Sequence, residues 1–103
     1  MVRMGRDEIL QRAREAVGER GNRYGEPEQG FERIAVLWNG WLRIRKDGPI
    51  TGFDVAMMMM LFKVGRISAN GAHVDSFVDA CGYGACAGEL ATERNDAKEE
   101  AVR

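Results

Sequence analysis

The longest uninterrupted apolar run of the chain is Val55–Phe62, with the sequence VAMMMMLF. A helix that spans a bilayer needs about 20 apolar residues, so this run is too short to cross a membrane. In an α-helix, a run without polar residues is apolar on every side. Such a helix has to be surrounded by protein, which predicts a position at the centre of a helical bundle or at an interface between chains.

Apolar residues elsewhere recur with helical spacing, and no segment alternates convincingly as a half-buried strand does. The first helix is predicted over about Arg6–Glu19, where Gly18 and Gly21 are expected to stop it. The second is predicted over about Pro27–Ile44. The first helix has an apolar stripe of Ile9, Leu10, Ala13, Ala16 and Val17, and the second an expected buried stripe of Phe31, Ile34, Ala35, Trp38 and Leu42.

Capping signals locate the other two helices. Thr51 is expected to cap the third helix, with Asp54 as the carboxylate of a capping box. This helix carries the apolar run and ends at the loop Asn70–Ala72. The fourth helix is expected to start near Asp75 and to fade into a charged tail after about Arg94. The pattern predicts an all-α fold, a small four-helix bundle.

Length and composition limit the chain to one domain. It has 103 residues, of which 45% are hydrophobic and 30% charged, as in ordinary globular domains. We expect a single helical domain over residues 1–103, with a core at about 6–94 and a charged tail at 95–103. A domain of this size buries only about two-thirds of its unfolded surface. Self-association would therefore stabilise it, and a homodimer or larger homo-oligomer is expected.

Charge and cysteine content restrict partners and location. The formal net charge of -1 argues against binding of nucleic acid through bulk electrostatics. The first ten residues show neither an apolar stretch nor a small-residue cleavage site, so no export signal is expected. Cys81 and Cys86 lie five apart, about 140° around a helix, and are expected to be reduced thiols. These features predict a cytoplasmic protein without a membrane partner.

The fourth helix is unusually smooth, because Gly82, Gly84 and Gly88 lie among alanines. Each glycine in a helix interior costs about 0.5–1 kcal/mol relative to alanine. Close approach of another helix is the simplest compensation. That helix belongs either to the same chain or to a second copy.

Charged residues of the last two helices are expected to meet. In an antiparallel hairpin centred on the Asn70–Gly71 loop, Lys63 lies level with Asp79, and Arg66 lies level with Asp75. In a structural interpretation, ion pairs set the register of the hairpin and Asp75 also caps the fourth helix. In a functional interpretation, Asp75 and Asp79 hold a magnesium ion. The cations Lys63 and Arg66 then contact a phosphate.

The second helix and the loop before it offer further polar groups. Glu28 and Glu32 are four residues apart, and carboxylates on facing helices are the usual magnesium ligands of helical bundles. Alternatively, they are acids favoured by the dipole at a helix N-terminus. Arg23 and Tyr24 either contact a nucleobase or ribose or close the end of the bundle.

Three other side chains are not expected to act in catalysis or ligand binding. Trp38 and Trp41 are expected in the core or at an interface. His73 is the single histidine of the chain and precedes the fourth helix. It is expected to be solvated rather than catalytic.

Three stretches carry a resemblance to a known family: NRYGEPEQGFERIAVLWNGWL, ITGFDVAMMMMLFKVGRI and HVDSFVDACGYGACAGEL. Together they resemble a family of small phage and prophage proteins of unknown function. The resemblance covers about Ile9–Leu90. It implies a phage-type protein, located in the host cytoplasm where it is phage-encoded.

More distantly, the last two helices resemble the all-α nucleoside triphosphate pyrophosphohydrolases of the MazG-like group. Those proteins bind magnesium with an ExxE pair and an ExxD pair, and they cleave nucleoside triphosphates to monophosphates. Asp79, followed by Tyr83, is similar to the aspartate of the second pair and the tyrosine after it. Ser76 stands where that group has glutamate. The resemblance implies a nucleotide ligand and Mg2+ as cofactor.

Two functional hypotheses follow. The first is a magnesium-dependent, nucleoside triphosphate pyrophosphohydrolase-like protein. The second is a non-catalytic phage accessory protein that binds a nucleotide or a host protein through a helical oligomer. For the first, the expected residues are Asp79 and Glu32 as catalytic groups, Asp75, Asp79, Glu28 and Glu32 as metal ligands, and Lys63, Arg66, Arg23, Tyr24 and Tyr83 as nucleotide or phosphate contacts.

Overall fold

The computed structural model consists of four α-helices, and the described part of the chain contains no strand. The structure describes the backbone of residues 3–24 and 27–102 and the side chains of residues 3–19 and 29–93. The all-α prediction is confirmed. The helices are α1 over Arg6–Tyr24, α2 over Pro27–Ile44, α3 over Gly52–Ala69 and α4 over Val74–Val102.

Two helices extend further than the sequence predicts. α1 continues through Gly18 and Gly21, and α4 continues past Arg94, so both predicted ends are wrong. In the described backbone only Gly48 has a positive φ, 136°, so Gly18 does not adopt the left-handed conformation that ends many helices. A glycine inside a helix costs about 1 kcal/mol, which the good helix formers around it offset.

Thr51 and Asp54 form the predicted capping box at the start of α3. The backbone N–H of Thr51 donates to Asp54 Oδ2 at 2.8 Å, and the backbone N–H of Asp54 donates to Thr51 Oγ1 at 3.3 Å. Two donors that would lack partners at a helix start are thereby satisfied. The box determines where α3 begins.

α3 lies between α2 and α4, as its apolar run predicts. On the α2 side, a Cβ added at Gly65 would lie 3.2 Å from Ile34 Cγ1. On the α4 side, a Cβ added at Gly84 would lie 3.2 Å from Met60 Sδ. These two glycines let the neighbouring helices approach α3 closely.

Both tryptophans of α2 donate hydrogen bonds to α3. Trp38 Nε1 donates to the carbonyl oxygen of Met58 at 2.6 Å, and Trp41 Nε1 donates to Asp54 Oδ1 at 3.1 Å. Both indoles are half-buried. Their interpretation as packing residues between helices is confirmed.

Large apolar side chains remain exposed over much of the surface. Among the described hydrophobic residues only Ala56 and Ala87 are buried. Phe31 and Ala35 are exposed, so their predicted burial is wrong in a single chain, because the packing of α3 around Ile34 leaves both side chains uncovered. Within the described residues, no helix combines the length and hydrophobicity that a membrane span requires.

Candidate functional site

Lys63 of α3 and Asp79 of α4 form an ion pair at the level that the hairpin predicts. Lys63 Nζ lies 2.9 Å from Asp79 Oδ2. The Lys63 side chain is 15% exposed and that of Asp79 is 46% exposed. Most of the Lys63 side chain is therefore buried between the helices, while the Asp79 carboxylate is accessible to solvent.

An aromatic ring beside this pair attracts two cations. The centroid of the Phe62 ring lies 5.5 Å from Lys63 Nζ and 4.6 Å from Arg66 Cζ. Cations within about 6 Å of a ring centroid are attracted by its quadrupole. Phe62 thus holds both cations on the same side of α3. We call Phe62, Lys63, Arg66, Asp75 and Asp79 the charged face.

Asp75 is exposed and lies one turn before Asp79. The prediction that Asp75 caps α4 is wrong, because α4 starts at Val74 and Asp75 lies in its first turn. His73 precedes the helix, and its Nδ1 lies 3.0 Å from Ser76 Oγ. His73 is half-buried rather than solvated, and Ser76 is only 1% exposed. The Ser76 side chain is therefore enclosed.

The described carboxylates do not converge on a metal centre. In the part of the chain whose side chains the structure describes, no group of three or more His, Cys, Asp or Glu residues could hold a metal ion. Glu32 is exposed and lies about 160° around α2 from Ile34, which packs on α3. A single chain therefore leaves Asp75 and Asp79 without Glu32. Magnesium bound to phosphates needs only one or two protein carboxylates, which these two could supply.

The remaining predicted site residues have different outcomes. Tyr83 is half-buried and continues the stripe of Asp75 and Asp79 on α4. The side chains of Arg23, Tyr24 and Glu28 lie outside the described residues, so their predicted roles stay predictions.

A buried carboxylate lies at the turn from α2 to α3. Asp54 is 4% exposed, and its Oδ2 lies 3.6 Å from Arg45 Nη1. The backbone hydrogen bond from Thr51 lowers the pKa of Asp54, and the Thr51 hydroxyl, Trp41 and Arg45 lower it further, while burial acts in the opposite direction. The carboxylate therefore stays ionised at neutral pH and connects α2 to the start of α3.

Thr51, Asp54, Trp41 and Arg45 form a cluster around the buried carboxylate, and the sequence analysis did not single out Arg45. Its Nη1 donates to the carbonyl of Lys46 at 3.1 Å, and its Nη2 donates to the carbonyl of Gly48 at 3.0 Å. Its Nε is buried without a hydrogen-bond partner. Arg45 lies four residues after Trp41, and this spacing could have indicated that the two side chains share one side of the chain. An open pocket of about 410 Å³ adjoins the cluster, and the bonds of Arg45 to the turn favour a structural role.

Comparison with known proteins places the chain among phage sequences. Residues 8–91 match the family described as "Domain of unknown function (DUF6378)". The Gene 55 protein of Mycobacterium phage D29 is 40% identical over 81 residues, covering 78% of this chain and 51% of the phage protein. The Gene 55 protein of Mycobacterium phage L5 is 41% identical over 76 residues, covering 73% and 47%. No solved structure shows a significant match.

The chain spans about half the length of these phage relatives. The matched residues 8–91 extend from α1 into α4 and include the whole charged face. The resemblance to phage proteins is confirmed, whereas the resemblance to pyrophosphohydrolases stays a prediction. Because the match covers most of its length, the chain belongs to the DUF6378 family.

Proposed function

We propose that this protein binds a nucleotide at the charged face. The observation that carries the proposal is the contact between Lys63 and Asp79, 2.9 Å apart on two packed helices. It holds a cation beside an exposed carboxylate at a fixed place in the fold.

The charges of this face suit a phosphate that carries magnesium. Lysine and arginine are the usual phosphate contacts of proteins, and Phe62 already holds Lys63 and Arg66 on one side of α3. A phosphate that takes Lys63 as its partner frees the carboxylate of Asp79. Asp79 and Asp75 are then available to a magnesium ion on the phosphates. The exchange leaves no charge of the pair without a partner.

The proposal is binding without turnover by a single chain. Hydrolysis would also need a group that activates water, and among the described residues no third carboxylate, histidine or cysteine joins Asp75 and Asp79. The likeness of Asp79 and Tyr83 to pyrophosphohydrolase residues supports a nucleotide as the ligand. Arg23 and Tyr24 are proposed to contact its base or sugar, and Glu28 and Glu32 are the carboxylates that turnover would need.

A thermal-shift titration with nucleoside triphosphates, with and without magnesium, tests the proposal. We expect saturable, magnesium-dependent stabilisation without release of pyrophosphate. Lys63→Met should abolish the shift. Arg12→Met is the matched control, because Arg12 also pairs with a carboxylate, Glu8 at 3.1 Å, but on the exposed surface of α1.

Each other outcome has a defined meaning. Pyrophosphate release that disappears in Asp79→Asn would replace the binding proposal with an enzyme. No shift with any nucleotide, or an equal shift in Lys63→Met, would contradict nucleotide binding at the charged face.

Exposed apolar residues favour a second candidate, an accessory protein that binds a host protein through a helical oligomer. Leu10, Phe31 and Val36 are 65%, 66% and 70% exposed. Contiguous apolar surface is typical of interaction sites, and these exposed side chains of α1 and α2 are candidates to form one. A host protein that copurifies with the wild type but not with Phe31→Glu would support this function, provided that the variant keeps its helical content. Copurification of the same protein with both would contradict it.

A further inference from the structure

We infer that two copies of this chain pair through the outward face of α4. Along that face, uncharged residues recur at alternating spacings of four and three, the a/d spacing of a coiled-coil seam. All of them are exposed in a single chain. We call these residues the α4 seam: Val74, Val78, Cys81, Ala85, Gly88 and Thr92.

The α4 seam lies on the side of the helix that faces away from α3. Ser76 and Ala87, on the α3 side, are 1% and 3% exposed, whereas Val74 and Val78 on the seam are 68% and 61% exposed. A helix face that is exposed to solvent normally carries charged and polar residues. The seam positions themselves carry none from Val74 to Thr92, and the acids Asp75 and Glu89 flank them, as charged residues flank a coiled-coil seam.

Gly88 is consistent with this interface, although Gly82, which lies off the seam, also has no atom within 4 Å of an added Cβ. Gly84 is explained within the chain, because an added Cβ would lie 3.2 Å from Met60 Sδ. Gly88 lies on the seam, and an added Cβ would meet nothing within 4 Å. The helix-propensity cost of Gly88 therefore has no compensation inside the chain. Small residues at a helix interface allow two backbones to approach closely, which would supply that compensation.

The accessible surface of the chain exceeds that of a typical compact monomer of the same mass. The chain exposes 8205 Å², whereas a folded monomer of 11.5 kDa exposes about 5,800 Å². A stable interface buries about 800 Å² on each partner, and obligate dimers bury more. A second copy of the chain fits the seam, because a twofold axis would pair the uncharged surface with itself. No charge on the seam would be left unpaired by this arrangement.

The two cysteines provide a test in the wild-type chain. Cys81 lies on the seam, and Cys86 lies about 140° away around the helix. Both thiols are exposed in a single chain. We expect N-ethylmaleimide to alkylate Cys86 readily and Cys81 at least about tenfold more slowly, because Cys81 reacts only after the dimer dissociates. Mass spectrometry over time measures both rates.

Two neighbouring substitutions control the experiment. Ala85→Glu places a charge in the seam, and Cys86→Glu places the same charge beside it. In sedimentation equilibrium we expect the wild type and Cys86→Glu to be dimers and Ala85→Glu to be a monomer. Cys81 should stay protected in Cys86→Glu and become reactive in Ala85→Glu.

A monomeric wild type, or equal alkylation of both thiols in it, would overturn the inference. A dimeric Ala85→Glu variant with a protected Cys81 would also overturn it. None of these results depends on nucleotide, so the inference and the proposed function can fail independently. Ala85→Glu leaves the charged face unchanged. Its nucleotide titration therefore tests nucleotide binding separately from dimerisation.

Discussion

Gly65 lies where α2 packs against α3, and it is buried. An added Cβ would lie 3.2 Å from Ile34 Cγ1, 3.7 Å from Leu37 Cδ1 and 4.0 Å from the backbone nitrogen of Ile34. The contact with Ile34 is tighter than an ordinary van der Waals contact, so the Ile34 side chain would have to shift. Gly40, on the exposed side of α2, has no atom within 4 Å of an added Cβ. The same substitution should therefore have opposite effects at these two positions.

We expect Gly65→Ala to lower the free energy of unfolding by about 1 kcal/mol, because overpacking outweighs the gain in helix propensity. Gly40→Ala should raise it by about 0.5–1 kcal/mol through helix propensity alone. Urea denaturation of both variants measures the difference. Equal stabilisation by the two would show that Ile34 shifts to accommodate the added methyl group and would contradict the prediction.

A second prediction at the residue scale concerns Asp54 and acid pH. Hydrogen bonds hold the pKa of Asp54 below its ordinary value in the folded chain. A carboxyl group with a lower pKa in the folded than in the unfolded state stabilises the fold above the unfolded pKa. This contribution is lost as the pH falls through the folded pKa. The contribution of Asp54 should therefore be constant near neutral pH and disappear in strong acid.

The midpoint of urea unfolding, measured across the acid range, tests this prediction. Asp54→Asn should be less stable than the wild type at neutral pH, and the difference should shrink as the pH falls. A difference that does not change with pH would mean that the charge of Asp54 contributes nothing to the fold.

Among the helices, α3 is the most extensively packed and α1 the least. α3 has neighbours on two sides and an N-terminal capping box, whereas α1 contacts α2 only weakly. Ile9, Leu10 and Val17 of α1 remain 52%, 65% and 56% exposed. Packing, rather than propensity, supplies most of the stability of helices in proteins. The stability of the fold is therefore expected to be concentrated in α2, α3 and α4.

The cap of α3 can be tested by substituting its hydroxyl. Thr51→Ala removes the oxygen that accepts from the backbone N–H of Asp54 and should lower the free energy of unfolding by about 1 kcal/mol. Thr51→Ser keeps the hydroxyl and should retain most of the stability. Thermal unfolding of the three proteins compares them. If Thr51→Ser were as unstable as Thr51→Ala, the hydroxyl would not be the stabilising group.

The whole chain is extended for its length. Its radius of gyration is 17.7 Å, whereas a compact domain of 103 residues has about 13 Å. Its principal extents are 56 × 36 × 26 Å. Few hydrophobic side chains among the described residues are buried, and many large ones are exposed. If a second copy covered this apolar surface, as inferred above, the chain would gain stability.

The melting temperature should consequently depend on protein concentration. If dimerisation is linked to folding, the Tm of the wild type should rise with concentration by mass action. Ala85→Glu should melt at a lower temperature that does not change with concentration. Differential scanning calorimetry over a hundredfold concentration range separates the two. A constant Tm for the wild type would contradict a dimer that contributes to stability.

Short-range patterns predicted much of the architecture. Apolar spacing located the four helices, and Thr51 with Asp54 located the start of α3. The short loop between α3 and α4 placed Lys63 level with Asp79. These features depend on residues that are close in sequence or joined by a short loop, so geometry along the chain determines them.

The sequence by itself determined the helices, the capping box and the Lys63–Asp79 register. The tertiary structure alone decided which helix faces meet. It turned Glu32 away from α3, left Phe31 uncovered, enclosed Ser76 and brought Arg45 to Asp54. The physical reason is that helix–helix packing depends on how side chains of different helices interdigitate, and spacing within one helix does not specify that.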